Sequence, residues 1–470
     1  MAIFFTDGEI KNRPGVFQRH ENTGFSKPAA ANDGICAIPI QAMWGPLGKV
    51  LKNSTPTDLK TNYGPGTYGD GYTVPAAAAM FEGGASTVYT YRLGTGGKKA
   101  SKELDGLTVT AKYPGTMPIS VAVQAKLGDA TKKQFMVYAG STQAEVWEFA
   151  ADAKAEGANL IAAAANSKYV AVTGEAATVT ALAVASGALS GGENPTVTNE
   201  DYSKAFAAME STYYNTIALD VDDDEGMTLS LLLKAYMNIA YPMGKLGHYV
   251  VGQKTTVPFE DRLTNCSAYN DAQGVFLGSG YMAGDVNKDG VMAICYTAGV
   301  IAKTPSNQAI TRAVISGATD LCEELTYADY EAAVAAGMLM LSRSSNGDIW
   351  YDTGITTLTS PETAVQDDGW KKIRRGKTRF EMIDRIERVL NPMVGRVSAD
   401  SDGIANVIQT AQRVLNAMIT EGKLMPGATF ALDTANPFEG DSAWFVIQSD
   451  DIDSLEKIYL TYQFRFSQNS

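Results

Sequence analysis

Between about residues 200 and 300 the hydrophobic pattern switches repeatedly between a helical and a strand period, which constrains the fold of this chain more than any other feature. Tyr202, Phe206 and Met209 mark one face of a short helix, residues 215–220 (NTIALD) read as a strand, and a Leu-rich helix covers 227–237. Strands at 248–251 and 274–277 follow, and 291–301 is helical again. Strands recurring about every 30 residues with helices between them predict parallel pairing in a three-layer α/β domain. Residues 34–40 and 86–93 are earlier strands, separated by an Ala-rich helix at 75–81 that Gly83-Gly84 stops, and they fit the same sheet.

Between those halves the texture changes. Period-two alternation dominates 105–188: Leu107, Val109 and Ala111 form one set, Ile119, Val121 and Val123 another, Phe135 and Val137 a third. After an Ala-rich helix expected around 143–166, Val170, Val172 and residues 179–184 resume the alternation. This predicts a small β-rich module inserted into the α/β domain, between flexible connectors at 94–101 and 190–195. In the last third, 350–359 reads as strand and turn. Phe380, Ile383, Ile386 and Leu390 form one helical face, and Ile404, Val407, Ile408, Ala411, Val414, Leu415, Met418 and Ile419 a second. A strand follows at 444–447, and Ile458, Leu460, Tyr462, Phe464 and Phe466 alternate with polar positions to the end of the sequence.

The expected architecture is therefore a multidomain α/β chain. It comprises an N-terminal arm (1–30), an α/β core in two pieces (31–98 and 190–349) and an inserted domain (99–189). An α+β C-terminal domain (350–455) and a C-terminal strand or arm (456–470) complete it.

Composition narrows the function classes. With 39 basic and 52 acidic residues the net charge is −13, a poor starting point for binding nucleic acid or an anionic membrane. Only two histidines, His20 and His248, are present, and neither is well placed as a base. Cys36, Cys266, Cys295 and Cys322 lie far apart in sequence and read as packed thiols rather than a metal or redox motif. No signal peptide is evident at the N-terminus. The longest nearly apolar stretch, 332–341, is half of the roughly 20 residues a membrane helix needs, so no membrane insertion is expected.

Candidate chemistry is thin. Residues 285–290 (DVNKDG) imitate the start of a calcium loop, but Tyr296 stands where a bidentate Glu belongs, so a turn is expected. Asp220, Asp222, Asp223, Asp224 and Glu225 follow a strand, where α/β sheets place ligands. They leave open a carboxylate–metal hydrolase or phosphotransferase, although no phosphate loop accompanies them. Lys371, Lys372, Arg374, Arg375, Lys377 and Arg379 concentrate six positive charges in nine residues, leaving −19 on the rest of the chain. That asymmetry favours docking against the acidic surface of another copy over binding nucleic acid. The C-terminal alternating segment either folds back as an edge strand or is donated to a neighbour's sheet.

Several fragments, in order along the chain, resemble contractile phage tail sheath proteins. They are residues 12–17 (NRPGVF), Phe81 to Ala85 with Val88, Tyr89 and Arg92, 189–192 (LSGG), 296–302 (YTAGVIA), 355–359 (ITTLT) and 453–459 (DSLEKIY). The organisation is most similar to sheaths from phages and phage-tail-like particles of Gram-positive bacteria, which carry an inserted β-sandwich. The resemblance implies a non-enzymatic subunit without cofactors or metal, polymerising as stacked hexameric rings around an inner tail tube and contracting to drive the tube through a target envelope. Its implied partners are other copies of itself, the tail tube protein, and baseplate and tail terminator proteins. The implied location is a virion tail or tail-like particle assembled in the bacterial host cytoplasm. By the same resemblance Pro14, Gly15, Val16 and Phe17, and Ile458, Leu460, Tyr462, Phe464 and Phe466, would be strands added to neighbouring subunits. Gly15 and residues 433–440 would supply hinges.

Overall fold

A single sheet of seven strands organises the chain, and it draws its strands from both sides of the β-rich stretch. The computed structural model describes residues 33–464 except 67–70, 153, 176–178, 223–226, 363–365 and 437–438, together with the short strands Ile3–Phe4 and Phe17–Gln18. Across the sheet the order is Met338–Leu339, Gly274–Leu277, His248–Gly252, Thr216–Ala218, Ile35–Ile40, Thr87–Arg92 and Val50–Asn53. Every pairing is parallel except the last, in which Val50–Asn53 runs against Thr87–Arg92. Strands in such a sheet are covered on both faces, and His248–Gly252 and Gly274–Leu277 are buried throughout.

Two apolar layers flank the sheet. On one face lie helices Pro56–Tyr63, Val74–Gly83 and Val291–Lys303; on the other, Asn199–Met209, Thr228–Ala240, Phe259–Ser267 and Tyr327–Ala335 contribute to a second core. The three layers predicted from periodicity are present. The strand Val50–Asn53 and helix Phe259–Ser267 had no sequence reading, because neither carries a sustained apolar period.

Helix Val291–Lys303 is buried along nearly its whole length. It crosses Val74–Gly83 at backbone contact: a Cβ on Gly83 would lie 2.1 Å from the Tyr296 carbonyl oxygen, and one on Gly299 2.1 Å from that of Met80. Two of the fragments that carry the family resemblance, around Gly83-Gly84 and 296–302, are thus the two sides of one helix crossing.

The β-rich stretch forms two antiparallel sheets around one core. Thr142–Ala150, Lys132–Ala139, Ile119–Ala125 and Ala185–Ala188 make the four-stranded sheet. Val170–Gly174, Leu107–Ala111 and Ser101–Leu104 make the three-stranded one. Leu107, Val109, Val121, Val123, Phe135 and Val137 point into the shared interior, as the alternation predicts. The expected helix over 143–166 is corrected: Thr142–Ala150 is a strand paired along Lys132–Ala139, and only Glu156–Ala163 is α-helical. Local alanine content was overridden there by cross-strand pairing and the burial of Phe149. The 179–184 segment is likewise not a strand; Val179 and Leu182 are buried in irregular chain ahead of Ala185–Ala188.

The connectors are not loose. Thr95 pairs with Thr196, Lys98 with Glu193 and Ser101 with Ser190, so outgoing and returning chains run antiparallel side by side. Trp44, from the α/β part, enters the β core and packs against Tyr113 and Tyr169, at ring separations of 5.1 and 6.1 Å.

The helix crossing yields a stability test. Gly299→Ala places a methyl group against the Met80 carbonyl, and overpacking of this kind costs about 1–3 kcal/mol. Urea unfolding should show a lower midpoint with unchanged slope. A midpoint equal to that of the parent chain would mean the helices are free to separate.

Candidate functional site

The C-terminal region is built on helices Ile373–Leu390 and Ser401–Thr420, which pack through Ile386, Ala411, Val414, Leu415 and Met418. Asp400 caps the second helix, its carboxylate accepting the Gly403 N–H at 2.8 Å. Over them lies a hairpin of Thr429–Leu432 and Phe445–Gln448, with Phe430 stacked on Phe445 at 5.1 Å. Gln412 ties the hairpin to the helix, donating to the Ala428 carbonyl and accepting from the Phe430 N–H. The sheet has only these two strands, so among the described residues each has an outer edge without a strand partner. Of residues 433–440, expected to be a hinge, the described ones (433–436 and 439–440) lie in the loop joining these two strands, with Asp433 N–H bonded to the Trp444 carbonyl at 2.8 Å.

Beyond the hairpin the chain is held to about Glu456 and then runs exposed. Ile458, Leu460, Tyr462 and Phe464 are 68%, 68%, 74% and 84% exposed, and residues 452–464 form no strand. The alternating pattern therefore has no strand partner within the described chain, and Phe466 lies outside the described residues. At the other end, Phe17–Gln18 pairs in parallel with Ile3–Phe4, while Pro14, Gly15 and Val16 lie outside the described residues.

The basic cluster, expected to face another copy, meets groups of its own chain. Lys371 reaches Asp368 at 2.9 Å; Lys372 reaches Asp453 at 2.8 Å and Glu456 at 3.1 Å. Arg375 donates to both oxygens of Asp451, at 2.5 and 3.0 Å. Arg379 bridges Asp367 and Asp451 and stacks 4.7 Å over the Trp370 ring. Arg374 is nearly buried. Lys377 is buried too and donates to the carbonyls of Ile301, Ala302 and Thr304. Sequence reasoning missed the acidic partners, because Asp451 and Asp453 sit in a stretch (SDDIDS) that reads as linker. Matching that acidic stretch to the basic run by charge alone was the available signal.

The alternative chemistry finds little support in the geometry. Asp220 sits at the carboxyl end of Thr216–Ala218, beside Ile35–Ile40, where the strand order reverses direction. It is wholly buried: Oδ2 accepts from Thr73 Oγ1 at 2.6 Å and Oδ1 from the Tyr202 hydroxyl at 2.7 Å. The crevice is filled by the chain's own side chains. Asp222 pairs with Lys254 at 2.9 Å, and Asp223, Asp224 and Glu225 lie outside the described residues. Among the described residues no group of three His, Cys, Asp or Glu is disposed to hold a metal ion. In the calcium-loop imitation, Asp285 completes a hairpin turn after Tyr281–Ala283, Val286–Lys288 is the returning strand, and Asp289-Gly290 lead into helix Val291–Lys303. His248 is buried against Phe380, its imidazole pushed down to about 4 by burial, and His20 lies outside the described residues. All four cysteines are free thiols, and burial raises each above the usual thiol range. No helix among the described residues is long and apolar enough to cross a membrane.

Comparison with known proteins accounts for this arrangement. Residues 195–355 match the family model of the phage tail sheath protein central domain. XkdK, from the phage-like element PBSX of Bacillus subtilis, is 25% identical over 331 residues, 69% of this chain and 68% of that protein. Residues 195–355 thus carry the central domain of a phage tail sheath protein, and the matches together support the contractile phage tail sheath family. Its fold is shared with the crystal structure of a sheath tail protein from Desulfitobacterium hafniense, at a TM-score of 0.70 and 21% identity, covering 93% of this chain and all of that one. It is also similar to the helical sheath of the anti-feeding prophage in its contracted state, at a TM-score of 0.55 and 13% identity over 97% and 99% of the two chains.

Asp220 gives a pH signature. Burial raises its carboxyl to about 6, against which the Thr73 and Tyr202 hydrogen bonds act only in part. Between about pH 4 and pH 6 the folded chain therefore retains a proton that the unfolded chain releases, and stability falls as pH rises. Asp220→Asn keeps partners for both hydroxyls and lacks this titration. Relative to the variant, the parent should lose about 3 kcal/mol across that window in urea unfolding of unassembled protein. Parallel curves from pH 4 to 7 would show that Asp220 titrates normally.

Proposed function

We propose that this chain is a structural, non-catalytic subunit of a contractile tail sheath. Subunits polymerise as stacked hexameric rings around an inner tail tube and shift collectively on contraction, with baseplate and tail terminator proteins at the ends. The particle is a virion tail or tail-like injection device assembled in a bacterial cytoplasm. Residues 31–98 with 190–349 serve as the core, 99–189 as an inserted β-sandwich, 350–455 as the polymerisation domain, and 1–30 and 456–470 as arms. The match of residues 195–355 to the sheath central domain supports this reading, and so does Asp220 being engaged by Thr73 and Tyr202 rather than open to a metal.

The observation that carries it is an exposed alternating segment leaving a domain whose hairpin has unpaired edges. Burying Ile458, Leu460, Tyr462 and Phe464 would contribute roughly 6–12 kcal/mol. Fixing residues 458–464 costs roughly 7–14 kcal/mol in backbone entropy. The two terms roughly cancel, so side-chain burial alone leaves no clear net drive to order the arm, and main-chain hydrogen bonds to a sheet edge would supply it. The hairpin Thr429–Leu432/Phe445–Gln448 of a neighbouring copy is the proposed acceptor, and the strand at Phe17–Gln18 belongs to the second arm.

Electron microscopy of the purified full chain should show rings or tubes. Removing 457–470 should leave soluble subunits that unfold at the same temperature as the parent. A monodisperse full-length monomer, or tubes that survive the deletion, would refute strand donation.

A further inference from the structure

An arm that must reach a neighbour's sheet in register has to leave its own subunit at a defined point, because a one-residue slip turns every side chain to the wrong face. The chain just before the arm is fastened unusually well for an irregular segment. Asp450 accepts the Met425 N–H at 2.8 Å, and the Ile452 N–H donates to the Lys423 carbonyl at 3.0 Å. Asp451, nearly buried, takes Arg375 and Arg379 together. Lys372 holds Asp453 and Glu456, and Glu456 also accepts the Thr311 hydroxyl at 3.0 Å. From Ile458 onward the large apolar side chains stand two-thirds or more exposed.

The two sides are matched in charge and differ in rigidity. The cations stand on or just before the first turns of Ile373–Leu390, a helix fixed to the α/β core through Lys377. The acids stand on a strandless segment that carries little apolar surface of its own. Burial would raise the Asp451 carboxyl, yet the Arg375 hydrogen bond and the Arg379 charge hold it below the ordinary carboxylate range. Arg374, on the same helix, adds its field to Asp451, Asp453 and Glu456.

We infer that residues 451–456, seated on the basic start of helix Ile373–Leu390, form an electrostatic anchor that fixes where the arm leaves the subunit, with Glu456 as the last tether. The basic run thereby acts in polymerisation through its own chain's arm and not by docking a second copy. This inference rests on the strand-donation reading above.

The test uses the full chain with Lys372→Glu, and a charge swap that adds Asp453→Lys and Glu456→Lys. Hydrogen–deuterium exchange over 449–457 should quicken about tenfold in the single variant, reflecting the loss of charge-assisted bonds, while the Ser401–Thr420 helix is unchanged. Tube yield by sedimentation and microscopy should fall with it, and the swap should restore both. Unchanged exchange, or faster exchange with undiminished tube yield, would overturn the anchor. Tubes that persist after deletion of 457–470 would instead overturn strand donation, and leave the exchange result to stand or fall separately.

Discussion

The carboxyl end of helix Val291–Lys303 is buried, and the last carbonyls of any helix have no partner within it. Here the donors come from two separate parts of the chain. The Gly34 N–H, just before strand Ile35–Ile40, reaches the Ala302 carbonyl at 2.9 Å; one turn further back, Thr216 Oγ1 of the neighbouring strand also bonds the Ala298 carbonyl, at 3.1 Å. Lys377 places its ammonium among the carbonyls of Ile301, Ala302 and Thr304 from the C-terminal region. A cation there also complements the helix dipole. Burial nevertheless pushes the Lys377 amine down to about 8, against the pull of Asp33 and Glu381. One helix end thus joins the sheet to the C-terminal region, and Lys377 of the basic run stands at that joint.

What the sequence revealed follows from how local each cause is. The strands Gly274–Leu277 and Ile35–Ile40 and the helix Ser401–Thr420 carry their own period and punctuation, and were readable almost to the residue. Thr142–Ala150 was misread because its strand character comes from Lys132–Ala139 beside it. The candidate site divided in the same way. The alternation of Ile458 to Phe464 was visible and its lack of an internal partner was not. The cations at 371–379 were visible, while their partners lay some 75 residues on in a stretch without period.

The glycine-rich connectors teach a related lesson. Gly97, at φ +78°, has the Glu193 carbonyl 2.8 Å from where a Cβ would stand, and a Cβ on Gly192 would stand 2.2 Å from the Gly115 carbonyl oxygen. These glycines serve close backbone approach rather than free bending. With Trp44 set in the β core as well, the inserted module is bound to the α/β part at two separate places. Among the described residues, it is the stretch beyond Glu456 that has neither paired backbone nor buried side chains.

On the proposed reading, that distribution bears on how like-charged subunits would hold together. A net charge of −13 per chain makes any close packing of copies repulsive, and spending the basic cluster on internal acids leaves less positive surface to offset it. Cohesion that relied on complementary patches would weaken with each added subunit. Main-chain hydrogen bonds between an arm and a sheet edge are indifferent to net charge, and their register is set by alternation, which Ile458 to Phe464 provides. An acidic body linked through neutral, apolar strands can change its lattice spacing while those strands stay paired, since the repulsion acts between the bodies and the pairing acts through the arms. On the proposed reading, the internal use of the basic run is what keeps these two forces separate.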